Sequence, residues 1–304
     1  MEKSTVYIHG CHYSLGEEER RVAEIPGLAG WLAQNQMIDD ADLWGWDRFR
    51  VSDRPAVELM AETARRSLAD FDARQPPVDA VILCATRFPT DVDGHADFIG
   101  GLLDRLGLHH AIPYGFTLNR CATLTAALGL AATLVSSGRH RSILVTAGDT
   151  NGADDERLRP FAVFSDGAAS CIVSAGQGGE FQLLGAAAAV DARMMKRNGE
   201  ISADLTRKAN AELFERAQVD LRDIKRLAHN NLWKPIVVMK EQQAGFRRDQ
   251  LYLDNIPRIG HVFSCDPLIN MIDLAASGLV APGELLALGS SVSGARFGAL
   301  LRKT

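Results

Sequence analysis

The sequence predicts an α/β fold in which a sheet with parallel pairing is covered by helices on both faces. Short Val- and Ile-rich runs at residues 78–84, 142–146, 170–173 and 284–288 lack an alternating polar face, the mark of strands buried on both sides. They alternate with longer stretches whose apolar residues recur at helical spacing. One of those stretches, residues 122–136, is apolar or small on every side, so it belongs inside the protein.

In chain order, residues 5–9 open as a strand, residues 57–70 follow as a helix, and strand 78–84 leads to a helix at 98–106. The buried helix 122–136 ends at Gly138, a suitable C-cap, and Arg139 and His140 suit the negative end of its dipole. Strands 142–146 and 170–173 come next. The glycine-rich break at residues 175–180 marks a turn between halves and divides the chain into 1–176 and 177–304. Beyond it lie residues 186–190, a polar, charged helical stretch to about Arg226, a helix at 267–277 and the strand 284–288.

Composition narrows the function. A length of 304 residues suits two halves or one large α/β unit, and 46% hydrophobic with 23% charged residues excludes a disordered or fibrous chain. A net charge of −5 with no cluster of Lys and Arg argues against a nucleic-acid partner. Five cysteines form no CxxC pair, and an odd number without a framework reads as reduced thiols. No apolar run approaches the length of about 18 residues that spans a bilayer, and the start Met-Glu-Lys-Ser does not read as a signal peptide. A cytoplasmic location without membrane contact is expected. No short repeat or low-complexity tract is present, which excludes solenoids and coiled coils.

The candidate chemistry centres on Cys121, which opens the buried helix. A helix N-terminus offers free amides and the positive end of a dipole, both of which favour negative charge on sulfur. The plain alternative is a small apolar residue where the helix enters the core. A nucleophilic cysteine needs an imidazole to exchange protons, and His229 and His261 both follow structured segments, whereas His9, His12, His95, His109, His110 and His140 sit in contexts of surface turns or strand ends. Cys265 is the rival nucleophile, lacking a buried helix start; Cys11, Cys84 and Cys171 are read as packing.

The order and spacing of Asn119-Arg120-Cys121-Ala122, of residues 164–169 (Phe-Ser-Asp-Gly-Ala-Ala), of His229-Asn230-Asn231 and of the glycine-flanked segment 289–298 resemble beta-ketoacyl-acyl carrier protein synthase III. The resemblance spans nearly the whole chain. It implies the thiolase fold, two similar halves forming a five-layered α-β-α-β-α core, a homodimer, and a cysteine reached by a pantetheine tunnel. It implies Cys121 as the acyl-accepting cysteine, His229 as a catalytic histidine, and an oxyanion hole from the amide of Cys121 with that of Ser293 or Gly294. Asn231, Trp46 and Arg48 are its expected substrate-binding residues. No metal and no cofactor are expected beyond the acyl thioester substrate itself, carried on phosphopantetheine or coenzyme A.

The chain departs from that family in three places. The segment after the first histidine reads His-Asn-Asn-Leu where the family has His-Gln-Ala-Asn. Gly260-His261 stands where the family has Gly-Asn, and Asp266 follows five residues later. A histidine can carry a proton where an asparagine only orients a carbonyl, and an aspartate can fix its tautomer. Cys121, His261 and Asp266 thus form a candidate triad like that of stand-alone ketosynthase III-like acyltransferases of polyketide pathways, with Asp266 as an N-cap before Pro267 the alternative. Around Trp44 and Trp46 an aromatic replaces a basic residue of the family's coenzyme A site, which favours an acyl carrier protein as donor, although both tryptophans also suit a core edge. The expected activity is acyl transfer to a hydroxyl or amine of a small-molecule acceptor. Decarboxylative carbon-carbon condensation and an inactive partner subunit are the alternatives.

Overall fold

The computed structural model describes residues 5–72, 74–176, 178–196 and 201–304. Its strands are β1 (Val6–Leu15), β2 (Glu18–Arg21), β3 (Arg48–Val51), β4 (Ala80–Cys84), β5 (Ile112–Phe116), β6 (Ser142–Asp149), β7 (Leu158–Arg159), β8 (Ala162–Val163), β9 (Gly167–Ser174), β10 (Phe181–Val190), β11 (Ile224–His229), β12 (Leu285–Val292) and β13 (Ala295–Lys303). The helices are α1 (Leu28–Gln34), α2 (Ala41–Trp44), α3 (Ala56–Asp70), α4 (Val92–Arg105), α5 (Thr123–Ser136), α6 (Ala203–Ala217), α7 (Lys234–Gln243), α8 (Asn255–Ile259) and α9 (Asp266–Ala276).

Nine strands hydrogen-bond in the order β11-β12-β13-β10-β1-β9-β6-β4-β5. The sequence led us to expect parallel pairing. Parallel pairs are confined to β4 with β5 and β6 and to β11 with β12, and the remaining pairs are antiparallel. The two-residue turn Ser293-Gly294 returns β13 directly beside β12, and such a tight connection can only join antiparallel strands.

Strand alternation sorts the side chains into layers. On β4, Ala80, Ile82 and Cys84 join Leu124 and Leu128 of α5 and Leu268 and Leu274 of α9 in one core, while Val81 and Leu83 face Leu59 and Met60 of α3 on the other side. On β12 and β13, Leu286, Leu288, Ala299 and Leu301 point to the same central core, and Leu285, Ala287 and Leu300 meet Leu213 and Phe214 of α6. Helix α5 touches strands from both ends of the sheet order, and α9 touches β11 and β12 together with β1 and β9. Pairing of β10 with β1 spans only Val6–Ile8 against Phe181–Leu183, so the strands diverge there and enclose the two helices. The result is five layers, α-β-α-β-α. Each Leu or Ile fully buried in this way contributes about 1.5–3 kcal/mol.

Helix α5 is less enclosed than its composition predicts. Leu124, Ala127, Leu128 and Ala131 are fully buried, but Ala126, Leu130 and Thr133 on the opposite face are not. Among the described residues no segment covers that face completely.

Candidate active site

Strand β5 ends at Phe116, and Thr117 Oγ1 donates to the carbonyl of Thr86 at 3.0 Å, tying this loop to the end of β4. The chain then turns through Arg120 at φ 51, a left-handed conformation for a non-glycine residue, into the short 3-10 turn Arg120–Ala122 that precedes α5. Cys121 therefore lies two residues ahead of the helix proper, within the usual looseness of helix ends. Arg120 is held by its own side chain, whose Nη2 donates to the carbonyl of Ser293 at 2.6 Å, and by Thr123 Oγ1 on its carbonyl. Strain at such a residue, of order 1–3 kcal/mol, persists only where surroundings over-determine it. Cys121 is half-buried and is the sole cysteine among the described residues that is not fully enclosed.

Gly260, at φ 63 and ψ −153, occupies backbone space that a side chain would fill, since a Cβ there would stand 2.9 Å from the carbonyl of Val163. This lets His261 pair with the neighbouring segment: its amide donates to the Val163 carbonyl at 2.8 Å and its carbonyl accepts from Ser165 at 2.9 Å. The imidazole Nδ1 bonds Asp266 Oδ2, and both residues are fully buried. Asp266 also accepts from the amides of Val262 and Asn231, each at 2.7 Å. Its carboxylate therefore points back into the preceding loop and caps no amide of α9, which corrects the N-cap alternative. Burial works against a charged imidazole, yet the Asp266 carboxylate, followed by the sulfur of Cys121, raises the pKa of His261 to about 10. Its ring packs beside Phe164, at 5.1 Å, and Phe263, at 6.2 Å, which stack on each other at 4.5 Å. The Nε2 atom has no hydrogen-bond partner among the described residues.

His229 ends β11, and its Nδ1 bonds the carbonyl of Asn230 at 2.7 Å. A carbonyl can only accept, so Nδ1 carries the proton and the unpartnered Nε2 carries the lone pair. Burial lowers the pKa of His229 to about 4 and keeps it neutral. A proton that the unfolded chain binds below pH 6.5 is thus refused by the folded protein until about pH 4. Stability must fall across that window as pH drops, by about 1.4 kcal/mol per unit from this residue. Urea denaturation at several pH values should show a shallower slope for His229→Gln; equal slopes would mean that His229 takes up its proton alike in both states.

Asn230 spans the two halves of the site, donating from Nδ2 to the Cys121 carbonyl at 3.1 Å and accepting the Ser291 amide on Oδ1 at 2.9 Å. Asn231, expected to bind substrate, is fully engaged elsewhere. Its Nδ2 donates to Gly260 at 2.9 Å and to Asp266 at 3.3 Å, and its Oδ1 accepts from Asn270 at 2.9 Å. It positions the Asp266 carboxylate and has no group left for a ligand. Ser293 and Gly294 form the turn between β12 and β13 beside Cys121, where Val292 and Ala295 pack on Ala122. A Cβ on Gly294, at φ 76, would lie 2.6 Å from Met195 Cγ.

The other expected substrate contacts lie apart. Trp46 is 4% exposed and packs against Trp44 and edge-on to Trp233, as a core-edge residue. Arg48 points outward from the β2–β3 ladder to Glu19, at 2.7 Å, and Asp47, at 3.3 Å. Cys265 is fully buried and its thiol pKa is pushed well up by burial, so it is no competing nucleophile. His9 and His140, expected at surface positions, are also buried; His140 sits between Tyr114, at 2.9 Å, and Asp79, at 3.3 Å.

Sequence reasoning missed one charged group. Lys240, Glu241 and Arg296 are buried together around Ser291, with Lys240 Nζ and Arg296 Nη1 each 2.9 Å from Glu241 Oε1. Burial opposes ionisation of Glu241, but Arg296 and then Lys240 overcome it and hold the pKa at about 2. Nothing local marks these residues, because α7 and β13 bring them together from 55 residues apart.

Comparison with known proteins gives a consistent placement. Residues 117–192 match the family model of 3-oxoacyl-[acyl-carrier-protein] synthase III. The beta-ketoacyl-[acyl-carrier-protein] synthase III of Phocaeicola vulgatus is 30% identical over 178 residues, 52% of this chain and 51% of that protein, so the match spans about half its length. The Fusobacterium nucleatum protein of the same description is 23% identical over 92% of this chain and 98% of its own. Among solved structures, ChlB3, described as an acyltransferase, has a TM-score of 0.81 at 19% identity, and Xanthomonas campestris OleA one of 0.82 at 14%, each over 98% of both chains. At such identities the likeness is one of fold, the thiolase fold.

Proposed function

From a chain that carries a synthase III-like domain on the thiolase fold, we infer a thioester-dependent acyltransferase that works through an acyl-enzyme on Cys121. The observation that supports this reading is the buried Asp266–His261 pair beside Cys121. The charged imidazole stands opposite a Cys121 thiolate, which attacks the carbonyl of the donor thioester. As the tetrahedral adduct collapses, the leaving sulfur takes the proton from His261 Nε2. Acylation removes the thiolate that helped to hold that proton, so the basicity of His261 falls while Asp266 keeps it oriented. A hydroxyl or amine acceptor then gives its proton to Nε2 and attacks the acyl carbonyl, and Cys121 leaves as thiolate.

The state of His229 bears on the competing reaction. Decarboxylative condensation calls for two hydrogen-bond donors on the malonyl carbonyl to stabilise an enolate. A neutral His229 with its proton on Nδ1 presents an acceptor at Nε2. Once His261 has given up its proton, both Nε2 atoms are acceptors, which suits an incoming O–H or N–H and offers an enolate no donor. The donor is read as an acyl carrier protein or coenzyme A thioester and the setting as secondary metabolism in the cytoplasm. No helix among the described residues is long and apolar enough to cross a membrane. We further read a homodimer, because β5, paired among the described residues with β4 alone, is an edge strand whose Ile112 is 39% exposed, and Leu118 just beyond it is 91% exposed.

One preparation tests the reading. Incubated with an acyl thioester and weighed intact, the protein should gain one acyl group that maps to Cys121, and it should sediment at about twice 33.0 kDa. With a malonyl donor labelled in its free carboxyl, the label should stay in the product. An adduct on Cys265, no adduct, or release of labelled carbon dioxide with a beta-keto product lost in Cys121→Ala would overturn it.

A further inference from the structure

At the C-terminal ends of the parallel strands β4 and β6 lies a cavity of about 190 Å³ lined by Thr86, Arg87, Phe98, Asp149, Asn151 and Phe263, among others. Ends of parallel strands are where α/β sheets place their ligands. Asp149 is 6% exposed; its Oδ1 accepts from the amide of Thr86, at 2.8 Å, and from the Thr86 hydroxyl, while its Oδ2 has no partner among the described residues. Burial pushes the Asp149 carboxyl up to about 7 against the pull of those two hydrogen bonds. Asn151 is fixed by its backbone, which donates to Asp166 at 2.7 Å and accepts from Arg157 at 3.2 Å, and its Nδ2 is likewise buried and unpartnered. Two residues of the cavity lining therefore each carry a buried polar atom without a partner among the described residues, one an acceptor and one a donor.

That pair selects its ligand. A hydroxyl can donate to Asp149 Oδ2 and accept from Asn151 Nδ2 at once. An ammonium cannot accept, an ionised carboxylate has no proton to donate to Asp149 Oδ2, and an alkyl group would leave both buried groups unpaired.

The cavity also adjoins the chemistry. Phe263, at φ 49, stacks on Phe164 at 4.5 Å and so stands between the cavity and His261. Its turn, Phe263–Cys265, packs on the turn Arg120–Ala122 that holds Cys121, and Thr117 ties the loop ahead of Cys121 to Thr86 on the cavity wall. At about 30 Å³ per water-sized group the volume holds roughly six heavy atoms, the size of a short acyl chain.

We propose that this cavity is a subsite for a hydroxyl group on the acyl chain that Cys121 accepts, with Asp149 Oδ2 as its acceptor and Asn151 Nδ2 as its donor. The assignment rests on the acyl-enzyme reading, but its test does not depend on turnover. Cys121→Ala protein is titrated calorimetrically with N-acetylcysteamine thioesters of butyrate and of its 2-, 3- and 4-hydroxy derivatives. One hydroxylated isomer should bind about tenfold more tightly than butyryl, because a site built to hydrogen-bond a hydroxyl discriminates against its absence. Adding Asn151→Leu should bring the two to within about threefold, and Asp149→Asn should weaken the preference by a similar factor. Equal binding of all four thioesters overturns the proposal, as does a preference that survives Asn151→Leu. Tight binding of butane-1,3-diol without any preference among the thioesters would assign the site to an acceptor and overturn the acyl assignment. Failure of the acyl-transfer reading would instead appear as the missing Cys121 adduct in the wild-type protein.

Discussion

Asp266→Asn is expected to slow acyl transfer by about 10³- to 10⁴-fold, a loss of about 4–5.5 kcal/mol of transition-state stabilisation. The substitution keeps an oxygen for only one of the two amides, Val262 on Oδ1 or Asn231 on Oδ2, so a structural part of the loss is separated from the chemistry by the pH profile of Cys121 alkylation. What it removes is the negative charge that outweighs the burial of His261. The imidazole then loses its proton at a lower pH, the thiolate opposite it loses its counter-ion, and alkylation of Cys121 by iodoacetamide at neutral pH should slow in parallel. A purely structural Asp266 would not shift the pH profile of that alkylation. Since His261 and Asp266 act as one unit, His261→Ala with Asp266→Asn should be scarcely slower than His261→Ala alone. Unchanged turnover in Asp266→Asn, or fully additive losses, would remove Asp266 from the chemistry.

Asp166→Ala should lower the stability of the protein by about 3–5 kcal/mol, as measured by chemical denaturation. Asp166 and Arg157 are both fully buried and joined by two hydrogen bonds of 2.9 Å, and Asp166 also accepts the amides of Ser52, at 2.9 Å, and Asn151, at 2.7 Å. Truncation leaves the buried Arg157 guanidinium with Asp154, at 3.3 Å, as its remaining counter-charge and two amides without an acceptor. Removing both charges at once, as Arg157→Met with Asp166→Leu, should restore part of the loss, because an apolar pair carries no desolvation penalty. A single variant as stable as wild type would mean that solvent reaches the pair. Since Asn151 lines the cavity behind Phe263, the same substitution should also loosen that wall.

Much of the layered core was legible in order along the chain. The runs at 78–84 and 142–146 lacked a polar face because β4 and β6 are enclosed between α5 and α3, and the spacing of Leu59, Met60 and Thr63 recorded the buried face of α3. Strand direction was not legible. A run such as 284–288 is the same apolar sequence whether its neighbour runs parallel or antiparallel, and the two-residue turn at Ser293-Gly294 decided it.

The sequence by itself determined the chemical inventory: one cysteine ahead of an apolar helix, and a histidine followed five residues later by an aspartate. Those are local features, because helix termini and short loops are encoded within a few residues. Tertiary structure alone decided the states of these groups. Asn231, 30 residues before His261, helps to aim the Asp266 carboxylate at the imidazole, and burial in the core keeps His229 neutral. The same holds for the protein contacts of Asn231, Trp46 and Arg48, the residues expected at the substrate. Protonation, tautomer and availability for a ligand depend on burial and on partners brought from distant segments, and residue spacing carries no record of either.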